Sequence, residues 1–155
     1  MKSLFLFASF FSILSLATQV PKVMVRLEKL LLVQIRPGET KEILVKFTVA
    51  DGLHVQANPA SKPNLIATTL QMESKQGIEF GQPQYPEGKP YRLEGAPSDI
   101  LTYEGTVDIR IPVGAAKKIS VGNKELNGSL RFQACNEKTC FFPTTISLKL
   151  PVQVR

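Results

Sequence analysis

The sequence predicts an all-β fold, a sandwich of short strands, and three observations carry that prediction. Apolar and polar residues alternate with period two in several short runs, the pattern of strands with one buried face. Clusters of Pro, Gly, Asn and Asp punctuate these runs at short intervals. The 138 residues that follow residue 17 of this 155-residue chain are enough for one domain with a substantial core.

The elements follow in order. Residues 1–17 read as a cleaved signal peptide: Met1-Lys2, an apolar run from Leu4 to Leu16 broken only by serines, and small residues in Ser15-Leu16-Ala17. That run is shorter than the roughly 20 residues a spanning helix needs. Arg26, Glu28 and Lys29 interrupt the next apolar stretch, Val23 to Ile35, so residues 18–155 are expected as one exported, soluble domain without membrane insertion. Leu27 to Val33 has a composition that allows a helix, but its β-branched flanks and the Pro37-Gly38 stop favour a strand. A turn at Arg36-Pro37-Gly38-Glu39 precedes the strand Ile43 to Val49, and another at Ala50-Asp51-Gly52 follows it. Gly81 to Asp99 holds four of the eleven prolines and few apolar pairs, and is read as a long loop and a candidate lid. Val107 to Val113 is the clearest alternating strand. A turn at Val121-Gly122-Asn123 separates it from the strands Ser129 to Ala134 and Ile146 to Val154.

Charge excludes one class of function. Removing Lys2 with the leader leaves 18 basic and 13 acidic residues, a net charge of +5, and these charges are dispersed along the chain, with no basic run longer than Lys117-Lys118. A phosphate-binding surface needs a concentrated basic stripe, so no nucleic-acid partner is expected. No nucleophile elbow, phosphate loop or dinucleotide fingerprint is present. The lone histidine, His54, reads as a packing or surface residue. With two cysteines it falls short of the four ligands a structural zinc takes, so neither a metal nor a cofactor is expected.

The candidate chemistry is the pair Cys135 and Cys140. They flank Asn136-Glu137-Lys138-Thr139, a polar, turn-forming loop between two strand-like runs, which sets them opposite one another at a hairpin mouth. Cross-strand Cα atoms lie about 4.5 to 5.5 Å apart, within reach of a disulfide. Register adds a constraint. If Cys135 faces Cys140, Leu130 faces Thr145, an apolar residue beside a polar one. An extra residue must restore the match, and Phe141-Phe142-Pro143 is the expected bulge, leaving an irregular end with approachable sulfurs. The bridge closes a loop of about six residues, worth roughly 2 kcal/mol against roughly 3 for about 15 residues. Spacing alone leaves a redox pair and a structural bridge in a non-catalytic binding module equally open. Lys138 favours a thiolate and Glu137 opposes it.

The run Gly128 to Thr145, with an aromatic residue, Gln and a small residue before the first cysteine, a short polar loop, and a proline close behind the second, resembles the N-terminal periplasmic domain of the DsbD family of thiol:disulfide interchange proteins. Gly52 to Pro59, Tyr85 to Gly88 and Tyr103 to Val107 add weaker similarity. The resemblance implies an immunoglobulin-like β-sandwich in the periplasm whose redox-active centre, Cys135 and Cys140, transfers electrons by thiol:disulfide interchange. Its implied partners are a thioredoxin-like redox protein or membrane thiol-electron transporter as donor, and oxidised periplasmic client proteins. Cys140 maps onto the partner-linked cysteine, and a cap shielding the pair is expected within Lys89 to Asp99. Full-length members continue into a membrane segment and a thioredoxin-like domain; this chain ends at Arg155, so its donor is expected on another polypeptide.

Overall fold

The computed structural model describes residues 23–155; the expected signal peptide, residues 1–17, lies outside them. The described residues form twelve strands and no helix, so none of them is in a helix long and apolar enough to cross a membrane. In the first sheet, β3 (Thr40–Val49) and β9 (Thr106–Ala115) pair antiparallel over most of their length, with β1 (Val25–Leu27) and β6 (Ile78–Phe80) at the edges. The second has the order β2-β12-β10-β5, from β2 (Val33–Ile35), β12 (Thr144–Val154), β10 (Gly122–Phe132) and β5 (Thr69–Met72). The third is ordered β11-β4-β8-β7: β11 (Ala134–Cys135), β4 (His54–Gln56), β8 (Ile100–Tyr103) and β7 (Lys89–Tyr91).

Alternation in the sequence becomes alternation in burial. On β9, Val107, Ile109, Ile111 and Val113 point inward; Val45, Phe47 and Val49 answer from β3, and Leu148, Leu150, Val152 and Val154 from β12. These residues, with Leu126, Leu130 and Phe132 of β10 and Val55 and Tyr103 of the third sheet, make one core cluster. Each fully buried aliphatic side chain contributes about 1.5–3 kcal/mol of transfer free energy, which is what holds the sheets together.

Three local expectations change. Leu27 to Val33 is not one strand: the chain leaves the first sheet after Leu27, runs irregularly with Leu31 and Leu32 exposed, and enters the second at Val33, where it pairs parallel with β12. Gly122 is not confined to a turn; it opens β10 opposite Val154. The Gly81 to Asp99 stretch is not wholly loop, because Lys89–Tyr91 pairs with β8 as the outer strand of the third sheet. Pro90 is tolerated there because an edge strand leaves one side without ladder bonds.

The second and third sheets meet at Gln133. There β10 ends, and the chain passes directly into β11, which pairs with β4 instead of β12. The turn that delivers β4 is the expected one at Ala50-Asp51-Gly52: Leu53 N–H donates to the Ala50 carbonyl at 3.1 Å, and Gly52 takes the left-handed φ of 74° that such a turn reserves for glycine.

Candidate redox site

The site is built where β11 ends. Cys135 and Cys140 form a disulfide across the mouth of the hairpin, with Cα atoms 3.9 Å apart, closer than the spacing of regular strand pairs. The loop is tied by Asn136. Its side-chain Oδ1 accepts from the N–H groups of Lys138 and Thr139 at 2.9 and 2.8 Å, and its own N–H donates to the Thr139 carbonyl at 2.9 Å. A short polar side chain thus closes the turn, as such residues do.

The register contains the extra residue that the sequence demands. Phe132 faces Thr144 in the ladder and Cys135 faces Cys140 in the bridge, so Gln133 and Ala134 on one side oppose Phe141, Phe142 and Pro143 on the other. Leu130 therefore faces Ile146. Gln133 spans the irregularity: its Oε1 accepts from Ile66 N–H at 3.1 Å and its Nε2 donates to the Phe141 carbonyl at 3.2 Å, while Phe141 N–H donates to the Ala134 carbonyl at 2.8 Å. The aromatic neighbours divide by depth. Phe132 is in the core, Phe141 packs against it half-buried, and Phe142 is 92% exposed.

The sulfurs are not equally approachable, which corrects the expectation of an open hairpin end. Cys135 is fully buried, because pairing with β4 covers it, whereas Cys140 is half-buried. Cys140 borders a groove of ≈ 550 Å³ lined by Met24, Phe141, Phe142 and Pro143 among others.

Two residues of β4 complete the site, and neither was singled out as functional from the sequence. His54 faces Cys135 in the ladder, and Gln56, two residues on, occupies the same face of the strand. The Gln56 amide Nε2 donates to Cys135 Sγ at 3.2 Å and, more distantly, to Cys140 Sγ at 3.8 Å. Gln56 is fully buried, and its Oε1 and the Nδ1 of His54 are the buried polar side-chain atoms without hydrogen-bond partners among the described residues. The other His54 nitrogen, Nε2, lies 3.2 Å from Glu104 Oε2, and Lys89 Nζ lies 3.3 Å from Glu104 Oε1. Lys89 first, then His54, hold the Glu104 carboxyl below its ordinary pKa.

The segment expected to hold a cap lies against the hairpin. The Tyr91 ring stacks on His54 with centroids 3.7 Å apart, and Glu94 N–H donates to the Glu137 carbonyl in the cysteine loop at 2.7 Å. Burial first, and the charge of Glu137 second, push the Tyr91 phenol above its ordinary pKa. Tyr103 anchors the base of this region: its hydroxyl accepts from Asn58 N–H at 3.0 Å and donates to the Pro86 carbonyl at 2.9 Å.

Residues 24–151 match the family described as thiol:disulfide interchange protein DsbD, N-terminal. The chain belongs to that family. Membership in the DsbD N-terminal family brings the immunoglobulin-like β fold and thiol:disulfide interchange as the general chemistry. Among solved structures, the chain is similar to the N-terminal periplasmic domain of ScsB from Proteus mirabilis, with a TM-score of 0.53 and 17% identity over 74% of this chain and 42% of that one. It is also similar to the reduced DsbD N-terminal domain of Neisseria meningitidis, with a TM-score of 0.48 and 19% identity over 71% of this chain and 76% of that one. The chain thus spans less than half of the ScsB domain structure it matches. A comparison with curated proteins finds no match.

Proposed function

We propose that this protein is an exported, periplasmic relay of reducing equivalents in which Cys135 and Cys140 are the redox-active pair. The observation that carries the reading is the asymmetry of the disulfide: one buried sulfur, and one half-exposed sulfur beside an apolar groove. A nucleophile reaches only the sulfur it can approach, and exchange depends on which sulfur is attacked. The thiolate of a thioredoxin-like donor attacks Cys140 Sγ. The Cys135–Cys140 bond breaks, and Cys135 leaves with the electron pair as a mixed disulfide forms between donor and Cys140. The donor's second thiolate then attacks its own sulfur in that mixed disulfide and releases Cys140. The donor dithiol becomes a disulfide, the pair becomes a dithiol, and the two protons given up by the donor are taken up by Cys135 and Cys140. The reverse sequence on an oxidised client passes the two electrons on. Phe142 and its apolar neighbours supply the surface on which a protein partner rests.

Trapping tests the reading. Cys135→Ala leaves Cys140 unable to be resolved internally, and it should accumulate as a mixed disulfide with a thioredoxin-like protein of the same compartment. Cys140→Ala should trap little, because Cys135 is buried. Absence of any thioredoxin-like adduct with Cys135→Ala, or equal trapping by both variants, refutes it.

A further inference from the structure

We propose that Gln56 is a catalytic residue of the exchange, the group that receives the negative charge when Cys135 leaves. The inference rests on the exchange reading of the cysteine pair. Its basis is a mismatch visible in the oxidised site. The Gln56 amide donates to a disulfide sulfur, a weak acceptor, at 3.2 Å, while its carbonyl oxygen, fully buried, has no hydrogen-bond partner among the described residues. Buried amides are normally satisfied on both sides, and an unmet acceptor is costly. The oxidised state therefore leaves this amide poorly used.

Reduction repairs it. When a donor thiolate attacks Cys140, the S–S bond breaks and the electron pair stays on Cys135 Sγ, 3.2 Å from Gln56 Nε2. A hydrogen bond from a neutral amide to a thiolate is charge-assisted and much stronger than one to a disulfide. Burial opposes ionisation of Cys135, so a fixed donor inside the site is the means by which this sulfur can leave as an anion. When Cys135 later takes a proton, its S–H needs an acceptor. The terminal amide torsion of glutamine is broad, so Oε1 can turn to accept it. One side chain thus serves both protonation states. The longer 3.8 Å approach to Cys140 makes the effect unequal, and electrons are directed onto the inner sulfur while the outer one carries the partner.

The test uses single-cysteine variants with protons and dithiothreitol as the only probes. Cys140→Ser leaves Cys135 alone and Cys135→Ser leaves Cys140 alone; each is titrated by ultraviolet thiolate absorbance, with and without Gln56→Leu or Gln56→Met. Either Gln56 variant should lower the thiolate population of Cys135 at a given pH about tenfold or more, the worth of one hydrogen bond to a charged acceptor, and change that of Cys140 less than about threefold. In the protein with both cysteines, reduction by dithiothreitol should slow about three- to tenfold, because the leaving sulfur carries roughly half of that charge at the transition state. An unchanged Cys135 titration, or equal shifts for both cysteines, overturns the proposal. In the unsubstituted chain the Gln56 side-chain amide protons should shift on reduction with the ionisation midpoint of Cys135, and no such shift overturns it without any variant having to fold. A protein that passes these tests but traps no thioredoxin-like partner loses the relay reading and keeps the role of Gln56; the opposite result does the reverse.

Discussion

The strap formed by Tyr91 to Glu94 can be loosened from the cysteine loop at one atom, the Glu94 amide nitrogen that bonds the Glu137 carbonyl. Leu93-Glu94-Gly95-Ala96 is a turn closed by Ala96 N–H donating to the Leu93 carbonyl at 3.0 Å, with Gly95 at a φ of 74°. A positive φ at the third residue marks a type II turn, whose second position readily accepts proline. Glu94→Pro therefore keeps the turn while deleting the N–H that bonds Glu137 at 2.7 Å, and it sets ring carbons against that carbonyl. The freed Glu137 is exposed and can be hydrated, so the loss is one ordinary hydrogen bond, about 0.5–1.5 kcal/mol. Proline at a compatible turn position restores about 0.4–1 kcal/mol through the unfolded chain, so global stability should stay within about 1 kcal/mol of the parent. The strap's hold on the hairpin should nevertheless fall about two- to twelvefold. If the strap gates the disulfide, reduction by dithiothreitol quickens by that factor, because a gated reaction follows the population of the open form. The assay is the pseudo-first-order rate of reduction alongside a denaturant midpoint. A rate unchanged in a variant of parental stability would mean that the strap does not control access to Cys140.

Three further outcomes follow from the site. Phe142→Ser should leave stability within about 0.5 kcal/mol, since the ring is 92% exposed, and leave reduction by dithiothreitol unaltered, but lower the efficiency of reduction by a thioredoxin about five- to thirtyfold; equal losses with both reductants would refute a docking role. Glu104→Gln should flatten the acid limb of stability. Lys89 and His54 lower the folded carboxyl's pKa below the ordinary 4.5, so its contribution is complete above that pH and is lost as pH falls through the lower folded value. Denaturant midpoints measured downward from pH 4.5 check this, and an unaltered slope would refute it. A Cys135→Ser/Cys140→Ser variant should lose about 2 kcal/mol and still fold, and the parental disulfide should equilibrate with glutathione at a potential above about −300 mV; a much lower potential would make the bridge structural.

Much of the scaffold was legible in the sequence because its signals are local. The period-two runs at 43–49, 107–113 and 146–154 became the long strands β3, β9 and β12, because a strand buried on one face writes its orientation into consecutive residues. The disulfide and the extra residue at 141–143 were legible too, since register across a short hairpin is arithmetic on the chain itself. The irregular path from Leu27 to Val33 was not, because the change of sheet there is dictated by partners at Lys46 to Val49 and Val152 to Val154. The Lys89–Tyr91 strand was hidden by its proline, which reads as loop unless the neighbouring strand is known to leave an edge free.

Gln56 marks where local reading stops. In His54-Val55-Gln56 the alternation is polar, apolar, polar, which taken alone turns Gln56 toward solvent. It is buried because β11 arrives from 79 residues away and lays Cys135 along the same face. The nearest sequence signal is a glutamine in a segment that already resembles the family, and that signal carries no chemistry until the strands are paired. The same pairing buries Cys135 and leaves Cys140 at the rim. The change of sheet at Gln133 therefore does two things at once: it makes the two sulfurs unequal, and it brings to the inner one the amide able to hold its charge.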